Sequence, residues 1–124
     1  MVKGIGTDLV KVARIEEALA KHSERFASRI LTPDEKLLFD AAPDSARYLA
    51  KRFALKEAIV KALGTGIAKG VGWQNISIAN NEAGQPYAEL NGRAEAVMVS
   101  KGASCLNISL SDEQDYVLAF AVLS

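Results

Sequence analysis

The run Phe53-Ala54-Leu55-Lys56-Glu57-Ala58-Ile59-Val60-Lys61-Ala62-Leu63-Gly64-Thr65-Gly66 constrains the fold more than any other segment. It reads as a helix that is apolar around most of its circumference and then enters a glycine-rich loop. Such a helix has to be covered on most sides, so the rest of the chain must be arranged around it. Yet it carries one acid, Glu57, and two lysines, Lys56 and Lys61. A buried charge is expensive unless it is paired or holds an ion. These three charges therefore call for partners, and a site for an anion together with a cation would supply them.

At 124 residues the chain fits one domain, residues 1–124, with enough length for a sizeable core. Fifteen basic and fifteen acidic side chains cancel, so nothing draws the whole molecule toward nucleic acid or a membrane surface. One cysteine, Cys105, excludes an internal disulfide; its small and apolar neighbours predict an inert, buried thiol. The first residues lack the apolar stretch of a secretion signal, and no apolar run approaches bilayer length. A cytoplasmic protein is expected.

Residues 2–8 read as a strand in which Gly4 and Gly6 suggest a close backbone approach. Val12, Ile15, Leu19, Phe26 and Ile30 recur at helical spacing over residues 10–30, with an interruption near His22-Ser23. Thr32-Pro33-Asp34-Glu35 is a helix start with a capping box, for a helix ending near Pro43. The next helix starts at Asp44 or Ser45 and runs to Leu63, where Gly64 supplies the stop. Beyond it the period becomes two. Strands are expected at residues 71–79 and 86–90, a short helix at 92–101, and strands at 104–110 and 116–123. The order gives an α+β fold with a largely antiparallel sheet and helices packed on it. Residues 116–123 are apolar at every position, which predicts cover on both faces, from a helix or from another subunit.

Glu57 and Lys61 lie four apart and share a helical face. Ala54 and Ala58 on that face would leave room for a ligand; the plain alternative is a surface ion pair. Gly64-Thr65-Gly66 follows a helix rather than preceding one, so it meets the negative end of the dipole. A phosphate here would have to be held by Arg52, Lys56, Lys61, loop amides or a cation. Asp8 either caps the helix after it or joins Glu57 as a ligand of a hard cation such as Mg²⁺, which takes one or two carboxylates and shares substrate phosphates.

Gly6-Thr7-Asp8 together with Phe53-x-x-Lys56-Glu57-Ala58-x-x-Lys61 resembles the two-part signature of the 4′-phosphopantetheinyl transferases, and within them the short, single-domain type. Further blocks fall in the same order: Gly4 to Val10 with Arg14-Ile15-Glu16, Arg29-Ile30-Leu31-Thr32, Arg52 to Ile67, Gly84-Gln85-Pro86 and Ser109-Leu110-Ser111. The likeness covers essentially the whole chain.

The resemblance implies transfer of the phosphopantetheine arm of coenzyme A to a serine of an apo acyl carrier protein, with release of 3′,5′-ADP. Asp8, Glu57 and Lys61 would be catalytic, with Asp8 and Glu57 binding Mg²⁺. Arg52, Lys56, Lys61, Gly64, Thr65 and Gly66 would hold the coenzyme. Arg14, Lys21 and Arg25 would dock the acidic carrier, Lys21 and Arg25 having a solvated charged face as their plain alternative. The resemblance also implies a homotrimer with sites between subunits, and fatty acid biosynthesis as the setting. Many relatives carry histidine where this chain has Asp112. An imidazole base is thereby excluded there, and a cation-bound water, Glu57 or an aspartate such as Asp34 are left as proton acceptors. His22 is expected on an exposed helical stretch, and Trp73 in the core. A catalytically silent module binding coenzyme A or a carrier protein is the alternative.

Overall fold

The computed structural model describes all residues from Met1 to Ser124. In chain order the elements are β1 (Gly4–Lys11), α1 (Val12–Ile30), α2 (Pro33–Ala41), α3 (Ser45–Leu63), a 3-10 turn (Trp73–Asn75), β2 (Ile76–Asn80), β3 (Pro86–Leu90), α4 (Gly92–Ser100), β4 (Leu106–Asp112) and β5 (Tyr116–Leu123). The strands form an antiparallel three-stranded sheet, β1-β5-β4, and a two-stranded ribbon, β2-β3. No helix is long and apolar enough to cross a membrane.

α3 is the centre of the molecule. Asp44 caps its start by accepting from the Arg47 amide, and Gly64, in the left-handed conformation at φ 82°, ends it. Leu49, Ala50, Ala54, Leu55, Ala58, Ile59 and Val60 are wholly enclosed. One side of α3 lies against Val117, Ala119, Ala121 and Leu123 of β5 and against β1.

The contact with β1 is made backbone to backbone. A Cβ placed on Gly4 would sit 2.1 Å from the Ala62 carbonyl oxygen, and one on Gly6 would sit 1.9 Å from that of Ala58. Ala58, one of the two small side chains that suggested room for a ligand, therefore serves a different purpose: with Ala62 it lets the strand touch the helix. With helix and strand this close, Asp8, next on the same side of β1, is carried in beside α3.

α1 is broken at Ser23, where φ 49° and ψ −130° are non-helical, at the interruption legible in the sequence. α2 begins with the expected capping box, the Thr32 amide donating to Glu35 Oε1 at 2.8 Å and the Glu35 amide donating to Thr32 Oγ1 at 3.4 Å. Three expectations need correction. β1 extends to Lys11, so Asp8 lies within a strand and caps nothing. Residues 71–75 are a turn rather than strand, because Asn75 Oδ1 accepts the Gly72 amide and folds the chain back. Cys105 is exposed, since it precedes β4 beside the end of the chain, where its backbone pairs with Ser124.

β5 is covered on one face only. Tyr116, Leu118 and Phe120 on the other face are open, together with Ile5 and Leu9 of β1, each 62% exposed. The expected second cover is not supplied by this chain.

Gly6→Ala should lower stability by about 3 kcal/mol, the upper end of an overpacking penalty, because the atom that a methyl group meets is backbone. Thermal unfolding checks it, with a fall in Tm of roughly 10 °C expected. Gly84→Ala, where a Cβ would meet nothing within 4 Å but φ is 85°, should cost less.

Candidate active site

A cleft of about 570 Å³ opens between α1 and α3, lined by Asp8, Leu9, Val10, Lys11, Arg14, Ile15, Phe26, Phe53, Glu57 and Tyr116. Its carboxylates come from two elements, Asp8 from the inner side of β1 and Glu57 from α3. Phe53, one turn before Glu57, continues the same helical face into an apolar wall that Phe26 and Ile15 of α1 complete.

Both carboxyls titrate above their ordinary values. Burial raises Asp8, and Lys61 opposes that only in part. Burial also raises Glu57, and the neighbouring Asp8 charge pushes it further, again against Lys61. Lys61 Nζ donates to the Thr7 carbonyl at 2.9 Å and to Asp8 Oδ1 at 3.3 Å. Asp8 Oδ2 is buried and has no hydrogen-bond partner. A buried carboxylate oxygen with no donor, beside a second acid, is poorly satisfied by the protein alone. Two hard oxygen donors and an orphaned lone pair suit a hard divalent cation that keeps most of its own water. They do not suit a cation that needs a complete protein cage, since no cluster of three or more His, Cys, Asp or Glu is formed anywhere.

Asp8, Glu57 and Lys61 are thus brought together, and Arg14 lies on the same cleft. Arg52 and Lys56 are not. The Lys56 ammonium is completely enclosed and donates to Glu35 Oε1 at 2.6 Å, to the Ile30 carbonyl at 2.7 Å and to the Trp73 carbonyl at 3.2 Å. All three protons are used, so no ligand can reach it. Arg52 is 4% exposed, stacked 4.7 Å from the Tyr48 ring centre, with one guanidinium nitrogen donating to Asn80 Oδ1. These two residues belong to the core of the protein, in correction of the coenzyme-binding role expected for them.

The glycine loop needs a similar correction. The amides of Gly64, Thr65 and Gly66 all donate to the Val60 carbonyl, at 3.0, 3.2 and 3.2 Å. They close the end of α3 and are not free to cradle a phosphate. The Thr65 hydroxyl donates to the Gly66 carbonyl at 2.8 Å. Among the cations and donors expected from the sequence to meet a phosphate, Lys61 alone stays half-exposed, beside Asp8 and facing a hollow lined by Ile5, Gly6, Thr7 and Phe120.

Asp112 is held by Lys51 at 2.9 Å and by Arg47, which also grips the Glu113 and Gln114 carbonyls. Burial pushes its carboxyl up, but the hydrogen bonds from Lys51 and Arg47 outweigh that push and hold it below the usual range. An acid so paired is a poor proton acceptor, and its role is to tie the β4–β5 turn to α3. Lys21 and Arg25 are exposed, on opposite sides of the Ser23 break, and Arg25 shares a groove with His22, Phe26 and Arg29. Trp73 is half-buried, stacked on Phe53 at 5.2 Å, directly behind the cleft wall.

The apolar lining was missed by sequence reasoning. Ile15 and Phe26 read as part of a core stripe, and only the four-residue spacing from Phe53 to Glu57 hinted that an aromatic ring shares the site.

The sequence pattern of the 4′-phosphopantetheinyl transferase superfamily matches residues 4–121. A holo-[acyl-carrier-protein] synthase of Vibrio campbellii is 46% identical over 121 residues, covering 98% of this chain and 96% of that one. The crystal structure of the Neisseria meningitidis holo-[acyl-carrier-protein] synthase superposes with a TM-score of 0.94 at 44% identity, covering 100% and 99% of the two chains. That of the Helicobacter pylori enzyme, in complex with coenzyme A, superposes with a TM-score of 0.84 at 32% identity over 97% and 99%. With a match over nearly its full length in both sequence and fold, this chain belongs to the 4′-phosphopantetheinyl transferase superfamily, among the holo-[acyl-carrier-protein] synthases.

Proposed function

We propose that this chain moves the 4′-phosphopantetheine group of coenzyme A onto a serine hydroxyl of an apo acyl carrier protein, with Mg²⁺ held by Asp8 and Glu57. Support comes above all from the two raised carboxyls with an unpartnered, buried Asp8 oxygen at the mouth of an apolar cleft. The serine oxygen attacks the phosphorus that bears the pantetheine arm, the pyrophosphate P–O bond breaks, and 3′,5′-ADP leaves with its electron pair. Held by these carboxylates, the cation would neutralise pyrophosphate charge and stabilise the leaving group. Lys61, already beside Asp8, is placed to offer its ammonium to the same phosphates. Phe26, Phe53 and Ile15 keep water away from one side of the reacting centre. The serine proton passes to a base other than Asp112, which is spent on Lys51 and Arg47.

Coenzyme A carries more negative charge than Lys61 and Arg14 can meet. A neighbouring copy would furnish the remainder. The open apolar face of Ile5, Leu9, Leu118 and Phe120 favours such a neighbour, since exposed apolar patches of this kind mark interfaces. We assign the protein as a homotrimer with sites at subunit boundaries, acting in the cytoplasm in fatty acid biosynthesis. Arg14, Lys21 and Arg25 give the carrier a basic strip to dock on.

Incubation with Mg²⁺, coenzyme A and an apo carrier should add one phosphopantetheine to the carrier by mass spectrometry, and chelation should prevent it. Asp8→Asn or Glu57→Gln should slow transfer by about 100-fold or more, the scale of losing one transition-state charge contact. Full-rate transfer by both variants would sink the assignment of the site, and an unmodified carrier would favour the silent binding module.

The same carboxyls give a signature in stability. Because both are raised in the folded state, their contribution is fully present below the unfolded carboxyl values and is lost as pH rises through the folded ones. Between about pH 4 and pH 7 the metal-free protein should lose some Tm. Mg²⁺ should restore it at the upper end and do nothing at the lower. Glu57→Gln should be at least as stable as the wild type without metal at neutral pH. Thermal scans across pH, with and without Mg²⁺, read all three; a Tm indifferent to Mg²⁺ at neutral pH contradicts the cation site.

Phe120→Asp should convert the trimer to monomers in analytical ultracentrifugation and weaken coenzyme A binding at least tenfold. A native protein that sediments as a monomer would overturn the assembly.

A further inference from the structure

Lys56 and Glu35 form an ion pair with no solvent access, both side chains being at most 1% exposed. A pair kept so deep is weak evidence of a stabilising role, since well-packed apolar residues often do as well. Its connections are more telling. Lys56 Nζ donates to the last carbonyl of α1, Ile30, and to the carbonyl of Trp73. Glu35 Oε1 also accepts from the Thr32 amide at 2.8 Å, and Glu35 Oε2 accepts from the Ile78 amide at 2.8 Å. One pair thus binds α1, α2, α3, the 3-10 turn and β2 at a single point.

The two contacts of Lys56 with backbone carbonyls lead to the cleft. α1 carries Phe26, one turn before Ile30. Trp73 stacks on Phe53, and Phe53 lines the cleft with Glu57, the residue that follows Lys56 in the chain. The part of α1 beyond the Ser23 break is held further by Gln74 Nε2, which donates to the carbonyls of Ser28 and Leu31.

We infer that Glu35 and Lys56 are positioning residues for the transfer: through Ile30 and Trp73 they set the separation of the Phe26 and Phe53 walls between which the reacting groups lie. They touch neither coenzyme nor carrier. The Asp8–Glu57 spacing is set elsewhere, by the glycine contacts of β1 with α3, so the pair governs the fit of the organic substrates and not the affinity for Mg²⁺.

The kinetic arm of the test rests on the transferase reading; a second arm does not. Glu35→Gln with Lys56→Met removes both charges at nearly constant volume, and the glutamine amide can still donate to a carbonyl and accept an amide. The doubly substituted trimer, folded by circular dichroism, should show KM for coenzyme A or for the carrier raised at least tenfold. The Mg²⁺ concentration for half-maximal rate should stay within twofold. Trp73, the only tryptophan, should become more open to acrylamide quenching in the native protein as its stacking on Phe53 loosens. A folded double variant with wild-type KM values and wild-type quenching overturns the inference and leaves the pair a purely structural tie. So does a change confined to Mg²⁺ dependence. If the wild type itself transfers nothing, the transferase reading falls, and Trp73 quenching still decides the positioning role. Should the double variant fail to fold, Glu35→Asp, which keeps the charge but draws it back from Lys56, is read by the same two measurements with the same expected and contrary results.

Discussion

The fold depends on two glycines that allow a helix to lie directly on a strand. Gly4 and Gly6 of β1 sit against the carbonyl oxygens of Ala62 and Ala58, with no side chain between. The proposed site follows from that proximity. In a strand, alternate residues share a face, so the residue after Gly4 and Gly6 on the inner face is Asp8. Anything there is pressed against α3, and a carboxylate pressed against a helix that carries Glu57 has to lose solvent and meet a like charge. The upward shift of both carboxyls is therefore a consequence of backbone packing. A larger residue at either glycine would move Asp8 away from Glu57 and relieve the strain that a bound cation would otherwise resolve.

The three charges in the last turns of α3, Lys56, Glu57 and Lys61, meet that burial in three different ways. Lys56 is satisfied wholly by protein, through one carboxylate and two carbonyls. Lys61 stays half in water, its ammonium shared between a carbonyl and Asp8. Glu57 is not paired by any basic side chain within salt-bridge distance, and its carboxyl shifts instead. Of the three, Glu57 is the one the fold leaves in deficit, and deficits of this kind gather at functional sites because structure alone gives no reason to keep them.

Much of this was legible in the sequence. The capping box at Thr32, the break in α1, the C-terminal stop at Gly64 and the hairpin pairs β2-β3 and β4-β5 all follow from local chemistry, which a chain states in adjacent residues. The close approach at Gly4 and Gly6 was legible as well, but its partner was not, since Ala58 and Ala62 lie more than fifty positions away. The same limit explains the errors over Arg52 and Lys56. Helical spacing says which residues share a face, whereas only the tertiary arrangement says whether that face meets water. Glu35 belongs to a capping box and Lys56 to a different helix, so no local pattern joins them. The loop amides misled for another reason. A glycine-rich segment after a helix looks open, yet the unpaired carbonyls of the helix end claim its donors first.

That prior claim bears on how a single chain can bind so anionic a substrate. Phosphate sites are usually furnished by helix N-termini, loop amides or arginines. Here the relevant helix offers its C-terminal end, the loop amides are taken by Val60, and the nearby arginine is stacked beneath Tyr48. The cleft sets Asp8 and Glu57, which repel phosphate, against Lys11 and Arg14. A divalent cation at the two carboxylates would invert the local charge, and further basic groups from a second copy would add to Lys11 and Arg14. The bare apolar face of β1 and β5 lies on the other side of the strand that carries Asp8, where Ile5, Thr7 and Leu9 point to the open side. A surface that would suit a second copy is thus built into the strand that carries Asp8. In the proposed assembly the same eight residues would serve both ends: one face would supply the metal carboxylate, and the other the contact with a second subunit.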